Sequence, residues 1–164
     1  MTGVHLHLLV NHAPIFGAFF ALGLFIASYL WAPDVLRRTA FVFLIFTGLA
    51  AGASDLTGEP AVHAVRGLPG IRREITDEHE SIGEKSFIVA SIVGVLAIGL
   101  LVKSRQAPVS NGVATTGLIA AVIVSAMMAY TGLLGGRVRH TEVRPGATPA
   151  DAAAVEPPRS PPPR

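Results

Sequence analysis

The chain has 164 residues, of which 51% are hydrophobic and only 15% are charged, and its mean hydropathy is +0.53. A soluble domain of this length does not need so much apolar material to fill one core, so the composition indicates a membrane protein. The absence of cysteine excludes disulfides, thiolate metal sites and covalently attached haem. A formal charge of +2, without a basic stripe interleaved with aromatic residues, excludes nucleic acid as a partner.

Four apolar segments have the length of membrane spans or approach it. A bilayer core of about 30 Å is crossed by about 20 helical residues, and the segments cover residues 13–31, 40–54, 87–102 and 113–134. The second and third are short, and we expect them to continue as helix toward Asp55 and back to Asp77. Short links join the first span to the second and the third to the fourth, so the sequence predicts an all-α transmembrane four-helix bundle with up-down-up-down topology over residues 1–140.

Two further segments lie outside the spans. Pro60 suits the first position of a helix, and Gly67 with Pro69 suits its end, so a short interfacial helix is predicted over residues 60–66. Residues 141–164 form a Pro-rich extramembrane tail, which has the composition of a segment without its own core. Such a tail is suited to contact other subunits of a membrane complex.

Each predicted span carries a histidine on the same side of the membrane: His12, His63, His79 and His140. At about 1.5 Å per residue, Trp31 to His12 spans about 29 Å and Val102 to His79 about 35 Å. His12 and His79 are therefore expected at similar depth on diagonal helices, where facing side chains can hold a ligand. His63 and His140 form the second diagonal pair.

Small residues line the predicted face of the helix that begins near His79. Gly83, Ser86, Ala90 and Gly94 follow it at helical spacing, which allows a flat group to approach the backbone. The same spacing is typical of membrane helices that pack directly on one another, and the second span has it at Gly48 and Gly52 without a histidine. Asp77 and Glu80 beside His79 fit a capping box at the start of that helix.

The leading hypothesis is a b-type haem with two histidine ligands, His12 with His79 or His63 with His140. Neutral imidazole is a good iron ligand, and its other nitrogen needs an acceptor, for which Glu80 or a backbone carbonyl is suitable. Haem propionates require nearby cations. The arginines on the histidine side are Arg66, Arg72, Arg73, Arg137 and Arg139.

Two alternatives remain open from the residues. A non-haem site for zinc, iron or copper could draw on the four histidines with Glu80, together with Glu59 and Glu84. The other alternative is a cofactor-free accessory subunit that packs against a larger complex through its helices and its tail.

Several motifs resemble a family of uncharacterised bacterial four-helix integral membrane proteins. The similarity covers roughly residues 5–142 and rests on "LLVNHAPIFGAFFALGLF", "LTGEPAVHAV", "DEHESIGEKS" and "AYTGLLGGRVRHTE". Its matched positions are Asn11, His12, Pro14, His79, Glu80, Gly135, Gly136, Arg139 and His140. The resemblance implies that c-type cytochromes are fused to such proteins or are their neighbours, and hence that electrons are transferred at the periplasmic face.

These observations predict a multi-pass subunit of a respiratory or photosynthetic electron-transfer complex in the bacterial inner membrane. The protein is expected to contact the lipid bilayer, other subunits and a c-type cytochrome, with both termini in the periplasm. It is expected to pass electrons without making or breaking substrate bonds. Variants of His12 or His79 are expected to lose a haem spectrum that a His7 variant keeps.

Overall fold

The computed structural model describes residues 3–148 of the chain. Five α-helices follow one another, and a short 3₁₀ turn, Thr141–Val143, ends this part of the protein. The helices are α1 Gly3–Val10, α2 Ala13–Ala27, α3 Pro33–Val65, α4 Arg73–Lys103 and α5 Asn111–Arg139. Four candidate membrane spans result, because α1 and α2 together form the first of them, Gly3–Ala27.

The helices form the predicted antiparallel bundle. α3 packs on α2 and α4, and α5 packs on α4 and α2, whereas α3 and α5 barely touch. α2 and α4 therefore occupy one diagonal and α3 and α5 the other. α1 continues the first span outward and packs on α3. The all-α four-helix prediction is confirmed.

The helix ends follow from local chemistry. Ala32 adopts a left-handed conformation with φ +36°, and Pro33 then opens α3 with the fixed φ that suits a first helical position. Ser110 caps α5 by accepting a hydrogen bond from the Val113 amide at 3.4 Å. Gly67 and Gly70 both have φ near +80°, which only glycine adopts without strain, and they shape the loop that joins α3 to α4.

The predicted separate helix over residues 60–66 is wrong, because α3 continues through Pro60 to Val65. Proline removes one backbone hydrogen bond inside a helix, but here α1 packs against the same turn. A methyl group added to Gly3 would lie 2.8 Å from Pro60 Cβ. The capping box at Asp77 is also wrong, since α4 begins one turn earlier at Arg73.

Small residues bring α3 and α4 into direct backbone contact. A methyl group added to Gly48 would lie 2.9 Å from the Ala90 carbonyl oxygen, and one added to Gly94 would lie 3.4 Å from the Leu44 carbonyl oxygen. Deeper toward the links, Phe25 and Phe41 meet edge to face at 5.0 Å between ring centroids. The predicted small-residue face of α4 is thus covered by protein, by α3 at Ala90 and Gly94 and by α5 at Ser86, whose hydroxyl lies 2.9 Å from the Thr131 hydroxyl. Such contacts are typical of membrane helices that pack directly on one another.

Large apolar side chains cover the outer surface of the bundle. Leu49 is 72% exposed and Val95 is 67% exposed, and both lie in helices long and apolar enough to cross a bilayer. Apolar side chains at such positions face the hydrocarbon of the lipid. The chain is a multi-pass membrane protein.

Candidate functional site

All six histidines lie at one end of the bundle, which we call the histidine end and define as residues 3–12, 54–79 and 131–144. The alternating helix directions bring these segments together, with the links 28–32 and 104–110 at the other end. Two of the histidines, His7 and His79, turn their rings toward the interior, and the others lie on the outside.

The His79 ring is held between α4 and α5. Its Nδ1 lies 3.1 Å from the Thr131 carbonyl oxygen, and a methyl group added to Gly135 would lie 3.0 Å from its Cε1. A carbonyl oxygen only accepts, so Nδ1 is the donor and carries the hydrogen. In the neutral ring the lone pair is then on Nε2, which is the arrangement of a metal-ligating histidine oriented by its second nitrogen.

The His7 ring is held between α1 and α3 in the same way. Its Nδ1 lies 3.2 Å from the Ser54 carbonyl oxygen and 3.2 Å from the Thr57 hydroxyl. The carbonyl again assigns the hydrogen to Nδ1 and leaves the Nε2 lone pair free.

Two buried polar atoms at this end have no hydrogen-bond partner within residues 3–148. They are Asn11 Oδ1, an acceptor, and Arg137 Nε, a donor. Asn11 lies one helical turn after His7, and its backbone N–H donates to the His7 backbone carbonyl at 2.9 Å. Buried polar atoms are normally satisfied, so each of these two requires a partner such as a water molecule or a bound group.

The other histidines named from the sequence lie at the surface. His12 is exposed and makes no side-chain capping bond at the start of α2. His63 Nε2 lies 3.7 Å from Glu59 Oε1, and His140 Nδ1 lies 2.9 Å from Glu142 Oε1. No hydrogen bond or ion pair among the described residues joins any of these three to His79.

Hydrogen bonds hold the pKa of Glu142 below its ordinary value. The stronger influence is the hydrogen bond from its own backbone amide, and the bond from His140 adds to it. Glu142 follows the membrane-spanning part of α5, so this pair belongs to the polar surface of the histidine end.

The remaining predicted site residues are dispersed. Glu80, Arg66 and Arg139 are exposed. Arg137 is half-buried, with the unpartnered Nε described above. Residues 3–148 contain no group of three or more His, Asp or Glu side chains that could hold a metal ion. Glu80 and Glu84 are both exposed.

A small cavity of about 60 Å³ lies beside the loop between α3 and α4. Val62, Arg66, Arg73 and Asp77 are among the residues that line it, and Arg73 Nε lies 3.5 Å from Asp77 Oδ2. Ligand pockets have volumes of about 300–1,000 Å³, so this cavity is a packing gap and separate from the two inward rings.

Comparison with family models, curated proteins and solved structures finds no match. The function is therefore argued from the site alone. The residue that sequence reasoning missed is His7, which was expected to be uninvolved. The sequence places His7 and Asn11 on one helical face, but only the contacts of α1 with Ser54 and Thr57 show that this face turns inward.

Proposed function

We propose that the protein is a membrane subunit of a respiratory or photosynthetic electron-transfer complex and that it holds haem b at the histidine end, with His79 as an axial ligand. The observation that carries this proposal is the bond between His79 Nδ1 and the Thr131 carbonyl, 3.1 Å long. It fixes the ring between α4 and α5 and leaves Nε2 without a hydrogen-bond partner among residues 3–148, as a histidine that holds haem iron would require.

The surroundings of His79 suit a haem. Glycine at position 135 lets the ring lie against α5. A methyl group added to the half-buried Gly136 would meet no atom within 4 Å, so space is open beside it. Arg137 Nε, buried without a partner, is a suitable donor for a propionate. Bound haem supplies reversible one-electron transfer, and the protein supplies the ligand, its orientation and the apolar surroundings.

The proposed setting is the inner membrane of a bacterium, with the histidine end in the periplasm. Short loops rich in Lys and Arg favour the cytoplasmic side. The basic residues of the two short links and their flanks are Arg37, Arg38, Lys103 and Arg105. A periplasmic histidine end suits electron exchange with a c-type cytochrome. The predicted tail, whose residues beyond 148 lie outside the described part, is available for contact with other subunits.

A second candidate function is a cofactor-free accessory subunit. It is favoured by the direct contact of Gly48 with Ala90 and of Gly94 with Leu44, because the bundle closes there through protein alone. In this case the bond between His79 and Thr131 only fastens α4 to α5.

The test is the haem content of the purified protein. Wild type, His79→Ala and the matched surface variant His63→Ala are expressed in a haem-producing bacterium and compared as pyridine haemochromes and by reduced-minus-oxidised spectra. We expect b-type haem in the wild type and in His63→Ala, and at least a tenfold loss in His79→Ala. A wild-type protein without haem overturns the electron-transfer assignment and supports the accessory subunit.

A further inference from the structure

We propose that His7, and not His12, is the second axial ligand, so that the haem is bound by His7 of α1 and His79 of α4. This inference rests on the proposed function. It assigns a role to a side chain that the sequence pattern had set aside, and it makes the outer helix α1 part of the binding site.

The His7 ring is oriented in the way that a ligand requires. His7 Nδ1 lies 3.2 Å from the Ser54 carbonyl oxygen and 3.2 Å from the Thr57 hydroxyl, and Thr57 is itself anchored to the Ala53 carbonyl at 2.9 Å. Metal-ligating histidines nearly always use their second nitrogen in this way. His12, by contrast, is exposed and makes no capping bond.

His7 and His79 also lie at similar heights in the bundle. Gly48 of α3 lies against Ala90 of α4, and Gly52 lies against Phe87. Continued outward, this antiparallel register places Gly58 opposite about residue 81 of α4. A methyl group added to Gly58 would lie 3.7 Å from His7 Cε1. The His7 ring is therefore level with His79 to within about one helical turn, or about 5 Å.

The spans that carry His7 and His79 are diagonal to each other in the bundle. α1 extends the span that contains α2, which is diagonal to α4. His7 and His79 thus come from diagonally related spans, and four-helix bundles build cofactor sites from side chains of such helices. Glycines 58 and 135 lie beside the two rings on α3 and α5.

The shared geometry defines the ligand chemistry. Each ring has its Nδ1 hydrogen committed to a backbone carbonyl and its Nε2 lone pair free, so the pair offers two neutral nitrogen ligands and no negative charge. Asn11 Oδ1, one turn from His7, adds an unpartnered acceptor at the same end. If His7 and His79 held the same haem, its iron would have two imidazole ligands from the protein and would give a low-spin spectrum.

The experiment compares His7→Ala with its matched control His12→Ala, both purified as the full chain with bound haem. Electron paramagnetic resonance and visible spectra of the ferric state report the ligands independently of any activity. We expect low-spin signals in the wild type and in His12→Ala. His7→Ala is expected to become high-spin and to return to low-spin when free imidazole is added.

A second variant keeps the inference testable if the alanine variant is unstable. His7→Met retains a metal-binding side chain, and thioether ligation raises the potential of a haem, so an upward shift of its midpoint potential is expected, with none in His12→Met.

Two results overturn the inference. A haem-containing protein in which His12→Ala becomes high-spin and His7→Ala stays low-spin leaves the proposed function intact and refutes His7 as the ligand. A wild-type protein without haem overturns both proposals together.

Discussion

Arg37 is a charged residue that the bundle buries near its link end, with only 7% of its surface exposed. It donates to the Val109 carbonyl at 2.7 Å and to Asn111 Oδ1 at 2.6 Å, and its guanidinium lies 5.4 Å from the centroid of the Tyr29 ring. One side chain thus joins the start of α3 to the link before α5. A buried cation bonded in this way is costly to replace because its partners stay buried.

Arg37→Leu is expected to lower the free energy of unfolding by about 3 kcal/mol, since two hydrogen bonds from a charged donor are lost. The measurement is unfolding in mixed detergent micelles, followed by circular dichroism. Arg105→Leu, an exposed substitution in the same link, is the control and is expected to change stability by less than about 0.5 kcal/mol. Equal losses of unfolding free energy in the two variants would show that the hydrogen bonds of Arg37 do not stabilise the bundle.

Sequence reasoning could not separate His7 from His12 at this scale. Both are histidines near the start of the first span, and His12 precedes the proline that opens α2. What distinguishes them is whether α1 exists and where it docks, which depends on Ser54 and Thr57, more than 40 positions away in the chain. A pattern within one span contains no such information.

At the scale of elements, the contact between α3 and α4 depends on the absence of side chains. Gly48 and Ala90 allow the two backbones to approach, and Gly94 repeats the contact nearer the links. The sequence offered two interpretations of these small residues, a slot for a flat ligand or a helix interface, and spacing alone could not decide between them. The position of α3 decides in favour of the interface, because its backbone occupies the space.

Gly48→Ala is expected to lower the free energy of unfolding by about 1–3 kcal/mol, since the new methyl group would overlap the Ala90 carbonyl. Gly99→Ala in α4 is the matched control, because a methyl group there meets no atom within 4 Å. Both variants add one methyl group to a membrane helix. If the Gly48 variant is as stable as the Gly99 variant in detergent unfolding, the close approach of α3 and α4 is not what holds them together.

The end of α5 is connected to the loop between α3 and α4 by Arg144. Its guanidinium donates to the carbonyl oxygens of Gly70 at 2.8 Å, Arg137 at 2.8 Å and Val138 at 2.9 Å. The first residues of the predicted tail therefore pack on the bundle. The sequence predicts a tail that begins before this arginine, because the Pro-rich composition begins near it. Composition gives no information on tertiary hydrogen bonds.

Arg144→Lys is expected to speed hydrogen exchange at residues 66–72 at least tenfold, because an ammonium cannot reproduce the planar array of guanidinium donors. Amides in the middle of α4 serve as the internal control and are expected to exchange at wild-type rates. Unchanged exchange in the loop would contradict a fastening role for Arg144.

At the scale of the whole molecule, the four spans and their alternation followed from length and hydropathy, because about 20 apolar residues can cross a bilayer only as helix. The ends of the helices were harder to predict. α3 and α4 extend well beyond their apolar segments, to Val65 and back to Arg73. Polar residues there are helical because α1, α5 and the loop pack around them, which is a tertiary effect.

The proposed orientation of the protein in the membrane can be measured by labelling introduced cysteines, since the chain has no cysteine of its own. Single cysteines replace Ala107 in a link and Ala147, which follows the last segment of the histidine end; both residues are exposed. Membrane-impermeant maleimide is expected to label Ala147→Cys in intact cells with a permeable outer membrane, and Ala107→Cys only after the inner membrane is opened. The reverse pattern would place the histidine end in the cytoplasm.

Haem titration tests most directly whether the bundle holds one haem b between two inward imidazoles. Haem-free protein in detergent is titrated with haemin, and the Soret band and ferric spin state are recorded at each addition. We expect the Soret change of the wild type to saturate at one haem per chain with a low-spin ferric spectrum. When His7 and His79 are both replaced by alanine, we expect no saturable Soret change. Identical titrations of the wild type and that double variant would contradict it.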